Sequence, residues 1–249
     1  MPYSIGLAGK GGTGKTTLAG LLIRYLVEKG KVPVLAVDAD SNFNLNEVLG
    51  MEVRETLGNA REEMKKGVAT GMTKDVFMEM KLEQAVVEAR GFDLIVMGRS
   101  EGAGCYCAAN TLLTNSLDRL IKNYAYIVMD NEAGMEHISR LTTNNVDLLV
   151  VVSDPTRRGI QAALRIYQLT DTLGLKIENK ILVVNQAKEG QEEEIRKRAK
   201  EFNLDPEGII PEDPLVRRFD LEGKPTTELN EESAALRAAF DLFERILPA

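Results

Sequence analysis

An open, mostly parallel α/β sheet, doubly wound with helices on both faces, is the fold this chain predicts, and three observations predict it. Near-continuous apolar runs recur along the 249 residues, each run is followed by a loop and a helical pattern, and the polar motifs fall at the carboxyl ends of the runs. Runs of that kind suit parallel strands covered on both faces, and strand–helix alternation gives the doubly wound arrangement, whose ligands bind beyond the strand ends.

The first run, 5–8, leads into Gly9-Lys10-Gly11-Gly12-Thr13-Gly14-Lys15-Thr16, which fits G-x-x-x-x-G-K-[ST]. This is a phosphate-binding loop. Glycines let the backbone curl so that successive N–H groups face one anion, Lys15 sets a charge on the outer phosphates, and Thr16 offers a hydroxyl to Mg²⁺. Leu18, Leu21, Leu22, Tyr25 and Leu26 then share one face of a helix that Gly30 stops. The runs 34–37, 94–97, 127–129, 148–152 and 181–184 read as five further buried strands. Between the second and third runs, residues 51–90 read as a charged pair of helices, with Met51, Met64, Met72, Met78 and Met80 as core filler rather than metal ligands. Arg157 and Arg158 open the helix after the fifth strand and read as a solvated pair rather than contacts to a partner's nucleotide. The final segment, 231–247, sets Leu236, Phe240, Phe243 and Leu247 beside mostly acidic neighbours, a face that packs on the sheet rather than on a membrane. No repeat or linker interrupts residues 1–249, so a single domain is expected.

The chain carries 38 acidic and 31 basic residues, for a net charge of −7. That field repels nucleic acid. Met1-Pro2-Tyr3-Ser4 runs straight into a strand, without a basic leader and long apolar segment, so a cytoplasmic protein without a stable membrane anchor is expected. The two cysteines have one residue between them, too few and too close for a disulfide framework.

Three acidic or amide motifs follow the strands: Asp38-Ala39-Asp40, Asp130-Asn131-Glu132-Ala133-Gly134 and Asn185-Gln186. Beside a phosphate loop, one acid can hold Mg²⁺ through its water shell and a second can orient an attacking water. Gly134 would let the backbone approach a terminal phosphate. The alternative is that such acids are solvated or cap the next helix.

A second lysine inside the loop is the sharper clue. Lys10-Gly11-Gly12-Thr13-Gly14-Lys15-Thr16 resembles the deviant phosphate loop of the MinD/ParA and nitrogenase iron-protein ATPases. The resemblance implies a single P-loop NTPase domain that hydrolyses ATP and dimerises on it, with Lys10 reaching the partner's phosphates. It also implies Lys10, Lys15 and Asp40 as the catalytic set, Asp40 orienting the hydrolytic water. Gly11, Gly12, Thr13, Gly14, Lys15, Thr16 and Thr17 would hold the phosphates, Asp38 and Asp130 would serve Mg²⁺ through water, and Asn185 with Pro211, Glu212 and Asp213 would contact adenine. A solvated lysine in an open loop is the plainer reading of Lys10.

Cys105 and Cys107 follow the third strand in a glycine-containing segment, 98–107, that exposes them. Two thiolates alone under-coordinate a soft metal, and a second subunit could supply two more. Small buried hydrophobes are the alternative. The loop, the Gly-Cys105-Tyr106-Cys107-Ala108 segment and Asp130-Asn131-Glu132-Ala133-Gly134-Met135-Glu136-His137 together resemble CooC-type nickel-insertion ATPases of carbon monoxide dehydrogenase maturation, including the acetyl-CoA synthase relatives. That resemblance implies an ATP-dependent homodimer binding Ni²⁺ or Zn²⁺ through the paired cysteines and delivering nickel to that client. His137, the single histidine, reads as a packing residue rather than a ligand. A MinD-type positioning ATPase and an iron-protein-like electron-transfer ATPase are the competing readings.

Overall fold

The computed structural model describes residues 1–40, 42–68, 71–98, 107–131, 145–172 and 176–248, the side chains of 107–110 and 145 apart. One eight-stranded sheet runs through them in the order β3-β4-β2-β5-β1-β6-β7-β8. Its strands are β1 (Tyr3–Gly9), β2 (Val34–Ala39), β3 (Val87–Glu88), β4 (Phe92–Val96), β5 (Tyr126–Asn131), β6 (Asn145–Ser153), β7 (Lys176–Ala187) and β8 (Pro206–Pro211). All neighbours are parallel except the short β3, which lies antiparallel on the edge of β4.

Helices cover both faces, as continuous apolar strands demand. On one face lie α1 (Lys15–Glu28), α2 (Leu45–Leu49), α8 (Pro214–Glu222) and α9 (Ala234–Ile246), packed over Ile5, Leu7, Val34, Ala36, Val128 and Val150. The other face carries α3 (Leu57–Lys66), α4 (Lys74–Ala85), α5 (Cys107–Leu120), α6 (Arg157–Thr172) and α7 (Glu192–Lys200), over Leu35, Val37, Ile95, Ile127, Met129 and Val151. The strand residues on the two faces alternate because side chains in a strand alternate.

The helical pair expected over 51–90 is α3 and α4, capped at their N-termini by Thr56 and Thr73. Its methionines do fill the core: Met64 and Met78 are buried, and Met72 and Met80 pack against the same cluster. The apolar stripe near the C-terminus is α9, whose Leu236, Leu242 and Phe243 are buried against β8 and α1.

Two strands lie outside the six expected. The edge strand β3 is two residues long, below any periodicity signal. β8 is bounded by Pro206 and Pro211 and holds Gly208, residues that argue against a strand locally. There the helix above decides: a Cβ on Gly208 would lie 2.7 Å from a δ-methyl of Leu242, so α9 sits close only because that side chain is missing.

Candidate functional site

The phosphate loop leaves β1 at the carboxyl edge of the sheet, between β5 and β6. Gly9 lies so close to β6 that any Cβ there would strike the Val152 carbonyl. Gly12 and Gly14 both have φ +80°, a left-handed turn that favours glycine. The Thr13 hydroxyl donates to the Lys10 carbonyl at 2.9 Å and closes the turn from inside. Gly14 is also the N-cap of α1; it provides no side-chain cap, and the first turn holds no acidic residue. The N–H groups and positive pole of a 14-residue helix are thereby left for an anion.

The loop is tied to β7 by two amides. Asn185 Nδ2 donates to the Thr13 carbonyl at 2.9 Å, and Gln186 Nε2 donates to the Gly12 carbonyl at 3.2 Å. Gln186 adopts φ +61°, an unusual conformation for a non-glycine residue, which aims it back at the loop. Gln186 escaped the sequence reading of site contacts, and its partner lies 174 residues away.

Lys15 and Thr13 are buried, whereas Lys10, Gly11 and Gly12 are exposed. Thr16 donates to Asp130, and the Lys15 charge acts on the same carboxylate. Burial pushes the Asp130 carboxyl up to about 6 against both influences. Its Oδ1 is buried with no partner among the described residues. Asp38 pairs in register with Asp130 on the next strand. Burial raises it to about 7; the N–H groups of Leu45 (2.9 Å) and Asp40 (3.1 Å) oppose the shift, and the Asp130 charge adds to it. The Asp40 Oδ1 accepts the Asn42 N–H at 2.8 Å and turns the chain away from β2. Two carboxyls that resist ionisation, one with an orphan oxygen, beside an anion-binding loop make a donor set suited to Mg²⁺.

A cleft of about 600 Å³ opens beside the loop, lined by Gly12, Thr17, Asn185, Gln186, Pro211, Glu212, Asp213 and Arg217. The residues expected around a base therefore do converge. Asp213, however, is spoken for. One carboxylate oxygen caps α8 by accepting the Leu215 N–H at 2.8 Å, and the other accepts the Ser233 hydroxyl at 2.6 Å and the Ala235 N–H at 3.0 Å. Burial pulls this carboxyl upward, but those hydrogen bonds outweigh it and hold it below the usual range. Asp213 shapes the cleft wall instead of offering a free acceptor. A second cleft of about 820 Å³ lies across the loop, between α2 and the segment after α8.

Arg157, the first residue of α6, pairs with Glu201 at 3.2 Å and lies over the Phe202 ring, while Arg158 is exposed. Cys105, Gly134 and His137 lie outside the described residues, as does the Cys107 side chain; the Cys107 backbone opens α5. Among the described residues no cluster of three or more His, Cys, Asp or Glu could hold a metal, and no helix is long and apolar enough to cross a membrane.

The chain is 41% identical to an uncharacterized ATP-binding protein of Methanocaldococcus jannaschii over 248 residues, covering 98% of both. It is 33% identical to the carbon monoxide dehydrogenase accessory protein CooC of Rhodospirillum rubrum, over 98% of this chain and 97% of that one. Among solved structures, the septum site-determining protein MinD of Pyrococcus horikoshii, complexed with Mg-ADP, superimposes with a TM-score of 0.71 at 24% identity, covering 99% and 96% of the two chains. A ParA family ATPase of Chlorobium tepidum gives 0.73 at 18% identity over 99% of each chain. Residues 5–226 match the CbiA family model, and the chain belongs to that CobQ/CobB/MinD/ParA nucleotide-binding domain family.

Proposed function

We propose that this protein is an ATP-hydrolysing homodimer that binds Ni²⁺ or Zn²⁺ through Cys105 and Cys107 and delivers nickel to carbon monoxide dehydrogenase or an acetyl-CoA synthase relative. The observation that carries this reading is the end-to-end likeness to the Rhodospirillum rubrum accessory protein, in a chain whose Cys-x-Cys pair ends at the first residue of α5, beyond the strand edge that holds the phosphate loop.

The residues fit a magnesium nucleotide: the N-terminus of α1 has no side-chain cap, and the buried Asp130 Oδ1 has no partner among the described residues. Lys15 and the loop N–H groups would hold the phosphates. Thr16, Asp130 and Asp38 would hold Mg²⁺, which when bound supplies neutralisation of phosphate charge. Asp40, at the mouth of the β2 turn, would orient water, and Asn185 with the Pro211 and Glu212 edge would face the base. Lys10, exposed in the loop, would reach the phosphates of a second copy. Two thiolates per subunit make a four-sulfur cage only when two copies meet, which links cargo binding to the same dimer.

Metal analysis of anaerobically prepared protein tests the reading. One Ni²⁺ or Zn²⁺ per dimer is expected, lost in a Cys105→Ala/Cys107→Ala variant that still binds ATP. Metal retained by that variant would refute the site, and a brown four-iron chromophore would favour electron transfer instead. A likeness to MinD of Bacillus subtilis, 28% identical over 88% of this chain, supports a positioning ATPase as the second reading. Strong ATP-dependent sedimentation with liposomes would favour it, although the apolar face of α9 is already buried.

A further inference from the structure

We infer that Arg217 lays its guanidinium on the face of the nucleotide base and so sets how tightly the base is held; this deepens the nucleotide-binding reading above and rests on it. The cleft of about 600 Å³ beside the phosphate loop has apolar lining from Leu18 and Leu21 of α1 and from Ile210 and Pro211 of β8, while α8 contributes Val216 and Arg217. An apolar slot that opens on a phosphate loop suits a flat heterocycle. None of the described residues that line it is aromatic. A base entering the cleft therefore finds no ring to stack on, and the flat groups left to it are amides, carboxylates and one guanidinium.

Several of those groups are already engaged. Asn185 and Gln186 donate their side-chain amides to the loop carbonyls, and Asp213 uses both carboxylate oxygens on the starts of α8 and α9. Arg217 differs. Its guanidinium has no hydrogen-bond or ion-pair partner among the described residues, whereas Arg24, Arg196 and Arg198 each hold a carboxylate and a backbone carbonyl. Asp220, three residues further along α8 and also lining the cleft, is raised by burial alone, with no cation opposing the shift. The backbone beneath Arg217 is fixed, because its N–H donates at 3.2 Å to the carbonyl of Asp213, the residue that caps α8. A guanidinium without partners, carried on a capped helix beside an apolar slot, stacks on a π-face because it is planar and weakly hydrated.

The test uses the full chain with Mg²⁺ and titration calorimetry against two probes, a non-hydrolysable ATP analogue and inorganic tripolyphosphate. Arg217 is exposed on α8, so substitutions there leave the fold intact. Arg217→Ala should weaken analogue binding by about tenfold while tripolyphosphate binding changes by less than about twofold. Arg217→Lys, which keeps the charge and loses the plane, should bind as poorly as the alanine variant, and Arg217→Phe, which restores a flat face without charge, should return analogue binding to within about threefold of the wild type. Equal losses for both probes, or rescue by lysine, would put the guanidinium on the phosphates and overturn the stacking. Unchanged analogue binding in Arg217→Ala also overturns it and leaves the nucleotide reading standing. A wild type that binds neither probe defeats the nucleotide reading itself, and the inference falls with it.

Discussion

Asp38 and Asp130 are the carboxyls among the described residues that burial pushes furthest from their ordinary behaviour. Both have folded pKa values above 3.8, pushed up to about 7 and about 6 by burial, so the folded state holds more protons than the unfolded chain between those limits. The stability they contribute is complete below about pH 4 and is lost as pH rises toward 7, on the order of a few kcal/mol. The expected outcome is a nucleotide-free melting temperature that falls from pH 5 to pH 8, with a shallower slope for Asp38→Asn, measured by calorimetry. Lys15→Ala should weaken nucleotide binding by more than about tenfold, because a charge on the outer phosphates is removed from a buried position. Gln186→Ala should cost less. Its single bond to Gly12 is solvent-exposed and contributes about 0.5–1 kcal/mol, roughly a two- to fivefold loss of affinity by titration calorimetry.

Elements divide by whether their signal is local. β1, the phosphate loop and α1 were legible because glycines, lysine, threonine and the apolar stripe all lie within one 30-residue stretch. β8 was not legible: Pro206, Gly208 and Pro211 look like loop punctuation, and only the approach of Leu242 from α9 explains the glycine. The base-side wall was half legible. Asn185 and Pro211 do line the cleft, but the role of Asp213 depends on Ser233 and Ala235, 20 and 22 residues later in the chain, which no motif connects. Because Asp213 starts one helix and pins the start of another, Asp213→Ala should lower stability by about 1–3 kcal/mol in urea titration, and Asp213→Asn by less. Phe243→Ala, which empties the contact between α9, Tyr25 of α1 and the sheet, should cost about 3–5 kcal/mol in the same assay.

At the scale of the whole molecule, the family explains the nucleotide site, and the second copy carries the proposed cargo function. Native mass measurement should give one polypeptide without nucleotide and two with a non-hydrolysable ATP analogue; Lys10→Ala should abolish most of the hydrolysis while leaving single-subunit nucleotide binding within about threefold. A failure to pair under any nucleotide would remove the basis for a shared sulfur site. The phosphate loop after β1, the Asp38 turn after β2 and the amides at the end of β7 all follow parallel strands at the same edge of the sheet. The Asp213 clamp extends this reach to the last third of the chain. A base seated against β8 would quiet the amides of Leu215 and Ala235 together, so deuterium uptake should slow in the opening turns of α8 and α9 at once, and a ligand gripped only by its phosphates should leave both turns exchanging as before.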